Sequence, residues 1–260
     1  MTIAPAKRVH VYPDSEVEWQ DRQADSHWWH VGRRRILSSL LRHFLSERLH
    51  TPAVLLEVGC GVGGFWREIV PFAQPVGLDS SLAAIRRARL RGYPHLLQAD
   101  VVDLPVRSDS VHGLLALDIL EHIEQDGQAL REYFRSLRPG GLLFVTVPAH
   151  PWMWSDLDER AGHVRRYRRR ELQEKIRSAG FFIQKFSYLN SVAFPIAAPV
   201  RLAQRALKRW FRFDSSSMEP PGHAGINRLL AACFASEGGW LLRGSLPFGL
   251  SLICVARKPN

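Results

Sequence analysis

Cysteine is scarce in this chain: its 260 residues hold three, Cys60, Cys233 and Cys254. An odd number spaced so widely argues against a disulfide frame or a metal knuckle and predicts reduced thiols in a cytoplasmic protein. Long apolar runs are also lacking. In the second half the longest is "VAFPIAAPV", residues 192–200, which holds two prolines and is too short to span a bilayer. The opening "MTIAPAKRVHVYPDSEVEW" has no apolar centre of the kind a signal peptide needs. Acidic residues are sparse in one stretch. Residues 160–212 hold 14 Lys/Arg against 2 acids, so the net charge of +10 lies almost wholly there and the rest of the chain is near neutral. A basic block of that kind predicts either an anionic partner, lipid, phosphorylated substrate or nucleic acid, or a solvated Arg-rich face. The remainder is ordinary: 46% hydrophobic and 23% charged residues, enough for one core with elaborations.

The periodicity predicts an α/β protein. Residues 26–49 place Ile36, Leu40, Leu41, Phe44 and Leu45 at helical spacing, after a polar arm. From "AVLLEVG" onward, short apolar strands alternate with helices as far as "LLFVTVPA". That rhythm defines a doubly wound, Rossmann-like parallel sheet. "GGFWREIVPF" reads as a helix starting directly after the glycines, and "DGQALREYFRSLRPGG" as a helix stopped by its glycines. A helix from about Arg169, a strand near 181–189 and a last strand in "GLSLICVARKP" complete seven strands, the last antiparallel. The expected organisation is an N-terminal arm and helix (1–50), a core (51–190), an inserted cap (191–247) and the last core strand (248–260).

"VLLEVGCGVGGFW", residues 54–66, poses the functional question. Gly59, Gly61 and Gly64 fit the G-x-G-x-x-G of a dinucleotide site, whereas Gly59, Gly61 and Gly63 fit the G-x-G-x-G that holds S-adenosylmethionine (SAM). Asp79 lies 20 residues after Gly59, where a carboxylate accepts hydrogen bonds from a ribose diol. Both cofactors carry that ribose. No second glycine-rich turn follows a strand, which weighs against a nicotinamide cofactor. An acidic Glu57 beside the loop suits a cofactor without phosphates.

The ordered segments "LLEVGCGVGG", "VGLDSS", "QADVVDLP", "LDILEHI", "LRPGGLLFVTVP" and "AGFFIQKFSY" resemble the class I SAM-dependent methyltransferases, in their small-molecule, type 11/12-like branch. The resemblance covers about residues 50–190 and the last strand. It implies SAM as cofactor, with Gly59, Cys60, Gly61 and Gly63 as the loop by its methionine portion and Glu57 near its amino group. It places Asp79, with Ser80, at the ribose and Asp100 and Val101 at the adenine. Leu117 and Asp118 would flank the reacting end. Asp79 also has a plainer reading as a helix cap, and Cys60 as packing. The segments "HWW…GRRR" and "GHVRRYRRREL" are similar to those of a group of these enzymes in glycan, lipid or natural-product pathways.

Methyl transfer needs alignment above all, and a base only for a poor nucleophile. His122, His150, His163 and Tyr167 are the catalytic candidates, with Arg165 and Arg166 as anion clamps. Glu121 and His122 read equally as braces of a loop. Asp118, Glu121 and His122 look one or two ligands short of a metal site, so no metal is expected. Trp28, Trp29, Trp152 and Trp154 either roof an apolar acceptor pocket or pack the N-terminal helix on the sheet. Residues 196–213 read as a basic amphipathic helix. Val200, Ala203, Leu207, Trp210 and Phe211 lie on one side; Arg201, Arg205, Lys208, Arg209 and Arg212 lie largely on the other. Such a helix fits peripheral contact with an anionic inner-membrane surface, or a lid on the core.

The leading expectation is methyl transfer from SAM to a small, apolar or lipid-linked acceptor. A metal-assisted RNA 2′-O-methyltransferase is the competing enzyme reading, disfavoured by the Trp-rich segments, so nucleic acid is not an expected partner. A non-catalytic SAM-binding or membrane-surface scaffold is the alternative of another class.

Overall fold

The computed structural model describes residues 14–45, 53–207 and 224–260. Two helices come first, α1 (Asp14–Gln23) and α2 (Trp28–Leu45). The sheet then begins with β1 (Val54–Val58), α3 (Trp66–Ile69), β2 (Gln74–Asp79), α4 (Leu82–Leu90), β3 (His95–Gln98) and β4 (Val111–Leu117). Next come α5 (Asp126–Ser136), β5 (Leu137–Pro148), α6 (Asp156–Arg160), α7 (Arg169–Ser178) and β6 (Phe182–Leu189). The chain closes with α8 (Phe194–Leu207), α9 (Ala224–Arg243) and β7 (Ser251–Arg257).

The seven strands form one sheet in the order β3-β2-β1-β4-β5-β7-β6. All are parallel except β7, which runs antiparallel to both β5 and β6. The strand order reverses between β1 and β4, and in open sheets of this kind ligands bind outside the carboxyl ends at such a switch point. The apolar run of β1 explains its place: both faces of a central parallel strand are covered, so Leu55, Leu56 and Val58 are all buried.

Two layers of helix cover the sheet. On one face, Tyr133 of α5, with Leu172 and Ile176 of α7, packs on β1, β4 and β5. On the other, α2 buries Ile36, Leu37, Leu40, Leu41 and Leu45 against Leu55, Phe144 and Val255. Each such side chain stabilises the fold by about 1.5–3 kcal/mol when fully buried. Helix α9 lies across α2 at Gly32, where an added Cβ would come within 2.6 Å of the Phe234 ring. Glu237 of α9 accepts the backbone N–H groups of Asn190 and Val192, fastening the helix to the end of β6.

Three local expectations need correction. Only four residues after the glycine loop are helical, because the chain turns at 70–73 to enter β2. Helix α5 is not stopped by glycine: it ends at Ser136, and Gly140 and Gly141 lie within β5. In α8, Arg201 is half-buried while Ile196 and Leu202 are exposed, so the described turns do not show a basic side cleanly opposite an apolar one. The side chains of 204–207 and all of 208–223, including Arg205, Leu207, Lys208, Arg209, Trp210, Phe211 and Arg212, fall outside the described residues.

Candidate functional site

Three non-glycine residues with left-handed backbones mark the carboxyl edge of the sheet: Asp118 (φ 54°) after β4, His150 (φ 62°) after β5 and Asn190 (φ 61°) after β6. Asn, Asp and His tolerate this region best among side-chain-bearing residues, yet each such position costs on the order of 1–3 kcal/mol. Their placement at three strand ends aims the chain around one crevice.

The glycine loop occupies the same edge. Gly59, Gly61 and Gly63 all have positive φ, and Gly59 also lacks room, since a Cβ there would meet Ile119 at 2.6 Å. The loop is held by Asp79 at the end of β2. One carboxylate oxygen accepts the N–H of Gly61 at 2.9 Å and the other that of Ser81 at 2.8 Å. The Ser80 N–H also acts on this carboxylate, and of its four lone-pair sites the remainder can accept a ribose hydroxyl. Burial raises the Asp79 carboxyl, and the backbone hydrogen bonds partly offset this. The cap of α4 is Ser81, whose hydroxyl accepts the N–H of Ala84. Ser80 is half-buried, and its carbonyl accepts Gln98 Nε2.

Glu57 is buried, and Tyr93 donates its hydroxyl to it at 3.0 Å. Burial pushes its carboxyl up to about 8, against the lowering effects of Tyr93 and Arg33. Cys60 is a buried thiol whose pKa burial drives well upward; it is an inert neighbour of Gly77 rather than a nucleophile. Beyond β3, Asp100 accepts the N–H of Val102 at 3.0 Å and Val101 is buried, as is Leu117 at the end of β4.

Arg33 was not singled out from sequence. It reaches from α2 to Asp118, with Nη2 2.7 Å from Oδ2, and lies over the Trp29 ring at 4.9 Å. Its Nε is buried without a partner among the described residues. The arrangement fits SAM: glycines that leave space, an acid for the ribose, a buried acid for an ammonium and a spare guanidinium donor for a carboxylate.

A second cluster follows β4. Glu121 and His122 lie in a one-turn 3-10 helix, Leu120–His122, and His163 in the loop before α7. The His122 and His163 rings meet edge to face at 4.8 Å, and His163 Nε2 is 4.0 Å from Glu121 Oε1. On its other side His163 Nδ1 lies 2.9 Å from Asp158. Burial raises the Asp158 carboxyl, but hydrogen bonds from His163 and Arg166 outweigh it and hold it at about 2. Glu121 is pushed well above the carboxylate range by burial and by Asp118.

The remaining candidates separate. Tyr167 is fully buried, its hydroxyl 2.8 Å from Asp126 and 3.1 Å from the Leu120 carbonyl, so it is a brace in the core and not a base. Arg165, the expected anion clamp, is paired with the same Asp126 at 3.0 Å, as is Lys175. Arg166 is turned inward to Asp158 and the Ala149 carbonyl. His150 stacks on Tyr188, near Trp152 and Phe194, and burial lowers its pKa. Trp154 is exposed and donates to Glu159, whereas Trp28 packs on Phe234.

Trp28 and Phe234 also wall an apolar cavity of about 480 Å³ beside the β6 end, with Leu157, Ile196, Val200 and Leu230. Asn190 and Arg201 are its polar members.

A sheet with these strand-end groups defines a class I nucleoside-cofactor site. Residues 28–185 match the profile of the methyltransferase domain family, and the chain belongs to that family. A protein of Mycolicibacterium smegmatis named "Probable S-adenosylmethionine-dependent methyltransferase" is 30% identical over 166 residues, 62% of each chain. A malonyl-[acyl-carrier protein] O-methyltransferase of Pseudescherichia vulneris is 32% identical over 159 residues, 56% of this chain and 60% of that one. The alignments thus span less than two thirds of these curated relatives. In structure, phosphoethanolamine N-methyltransferase 2 of Haemonchus contortus, solved with SAM, superposes with a TM-score of 0.61 at 17% identity, covering 96% of this chain and 61% of the other. The fold is therefore that of the SAM-dependent methyltransferases, and SAM is the family's cofactor.

Proposed function

We propose that this chain transfers the methyl group of SAM to a small acceptor that carries an extended apolar portion. SAM supplies an electrophilic methyl on a sulfonium. Asp79 and the glycine loop hold its nucleoside, Asp100 and Val101 its base, and Glu57 and Arg33 the two charges of its methionine end. The observation that carries the acceptor class is the apolar cavity beside the same edge of the sheet. Its walls reward burial of hydrocarbon at roughly 25 cal/mol per Å², and Asn190 and Arg201 can orient a polar or anionic head. Against an RNA acceptor, Arg165 and Arg166, which the sequence offered as anion clamps, are engaged with internal acids. The test is methyl-labelled SAM incubated with a metabolite and lipid extract, followed by mass spectrometry. Label in an apolar small molecule supports the reading, and label in RNA alone overturns it.

We also infer that α8 rests on an anionic membrane surface. Ile196, Val200 and Leu202 are exposed on α8, and Ile226, Leu229 and Trp240 on α9. The sequence adds Lys208, Arg209 and Arg212 just beyond α8. Basic residues near such a surface contribute about 1 kcal/mol each. Among the described residues no helix is long and apolar enough to cross a membrane. Co-sedimentation with anionic vesicles should fall with salt and with Arg205→Glu plus Arg209→Glu; indifference to such vesicles at low salt refutes the inference.

A further inference from the structure

Glu121, His122 and His163 converge although they come from two segments 40 residues apart. One potential ligand atom from each lies within 4.8 Å of the others. The segments are pinned by backbone: Val164 N–H donates to the Glu121 carbonyl at 2.7 Å. The ring tautomers follow from the partners. His163 Nδ1 faces the Asp158 carboxylate at 2.9 Å, and His122 Nδ1 faces the Gly162 carbonyl at 3.2 Å. Both partners only accept, so each neutral imidazole carries its proton on Nδ1 and its lone pair on Nε2. Nε2 of His163 is turned to Glu121. Glu121 is 1% exposed, and its second oxygen, Oε2, has no partner among the described residues.

We propose that Glu121, His122 and His163 bind a divalent transition-metal ion. Two imidazoles and one carboxylate favour zinc or a neighbouring first-row ion over magnesium or calcium. Bonds of 2.0–2.2 Å require ligand atoms roughly 3–3.6 Å apart, so the side chains close by about 1 Å on binding. The carboxylate–histidine pair Asp158–His163 is the support such a ligand needs, fixing its tautomer and orientation. Three protein ligands leave positions open, and the site adjoins Asp118 at the cofactor crevice. There a metal acts as a Lewis acid on an acceptor hydroxyl. The transfer balances: the hydroxyl proton leaves to solvent, the oxygen pair bonds the methyl carbon, and the carbon–sulfur pair stays on sulfur as neutral S-adenosylhomocysteine departs. The proposal departs from the sequence expectation of no metal, and the titration below tests the two against each other.

The role rests on the methyltransferase reading, but binding is measured without SAM, so the two fail separately. Tag-free full-length protein, stripped with a chelator, is titrated with Co²⁺ and followed by visible absorption, and with Zn²⁺ by calorimetry. One ion per chain is expected, with ligand-field bands of a nitrogen and oxygen set. His122→Asn, His163→Gln and Glu121→Gln should each weaken binding at least 100-fold, and Asp158→Asn by about 10- to 100-fold. Substoichiometric binding overturns the proposal, as does unchanged affinity in a folded His163→Gln protein. Where a variant does not fold, the wild-type spectrum decides: thiolate-to-cobalt charge-transfer bands would place the ion on cysteine and refute the site.

Discussion

Arg33 of α2 and Asp118 at the end of β4 meet at 2.7 Å, so the N-terminal helix reaches into the crevice at the strand-order switch. Nη2 forms this ion pair and also donates to the Thr146 hydroxyl at 3.5 Å, while Nε is buried with no partner among the described residues, the donor that the proposed function assigns to the cofactor's carboxylate. Arg33→Gln is expected to weaken S-adenosylhomocysteine binding by about 1.5–3 kcal/mol, the worth of a charge-assisted hydrogen bond. Arg33→Lys should recover only part of it, because an ammonium lacks the guanidinium fork. An unchanged dissociation constant by calorimetry would reduce Arg33 to a brace for Asp118.

Glu57 predicts a pH dependence of binding and of stability. In the protein without cofactor burial pushes its carboxyl up to about 8, from an ordinary value of 4.5. Between those values the folded state holds a proton that the unfolded state has lost. This contribution to stability is therefore full below pH 4.5 and declines as pH rises toward 8. A cofactor ammonium needs the ionised form, so binding should strengthen from pH 6 to 8 with proton release. Glu57→Gln should abolish the release and flatten this part of both profiles. Equal proton release in wild type and variant, measured calorimetrically in buffers of different ionisation heat, would remove Glu57 from the ammonium site.

Gly59 allows a stability test. An alanine there adopts a left-handed backbone and drives its Cβ into Ile119 at 2.6 Å. Gly59→Ala should cost about 1–3 kcal/mol, seen as a lower midpoint in urea. At Gly239, where nothing lies within 4 Å and φ is not in the left-handed region, the same change should not destabilise the protein. Equal stability of Gly59→Ala and wild type would mean the loop relaxes freely.

The cavity makes a separable prediction. Ala197 lines it on α8, away from the glycine loop. Ala197→Trp should fill the acceptor space, lowering methyl transfer to an apolar acceptor by at least about tenfold while leaving S-adenosylhomocysteine affinity within about twofold. Unimpaired transfer, measured with labelled SAM, would move the acceptor elsewhere.

The parts legible in sequence were those fixed by local pattern. The alternation of strands and helices, the antiparallel β7 and the glycine loop followed by Asp79 all rest on short periodicities and backbone demands. What stayed hidden depends on tertiary partners. Tyr167, Arg165 and Lys175 share one acid, Asp126, some 40 to 50 residues away, and no spacing announces that. Arg33 left a signal. It shares a helical face with Ile36, Leu37 and Leu40, and a charge on a buried stripe asks for a partner. The docking of α9 on α2 was hidden because "AGINRLLAACFASEGGWLLR" is apolar on several sides, and tertiary partners, Phe234 against Gly32 and Glu237 on the Asn190 and Val192 N–H groups, fix which side turns inward.

The most direct measurement of the central claim is a calorimetric titration of S-adenosylhomocysteine and of NAD into the wild-type protein and Asp79→Ala. Saturable binding of S-adenosylhomocysteine at one per chain is predicted, with no response to NAD and an affinity loss of about 1.5–3 kcal/mol in the folded variant. Binding of NAD with no response to S-adenosylhomocysteine, or an affinity indifferent to Asp79, would contradict the assignment of this crevice.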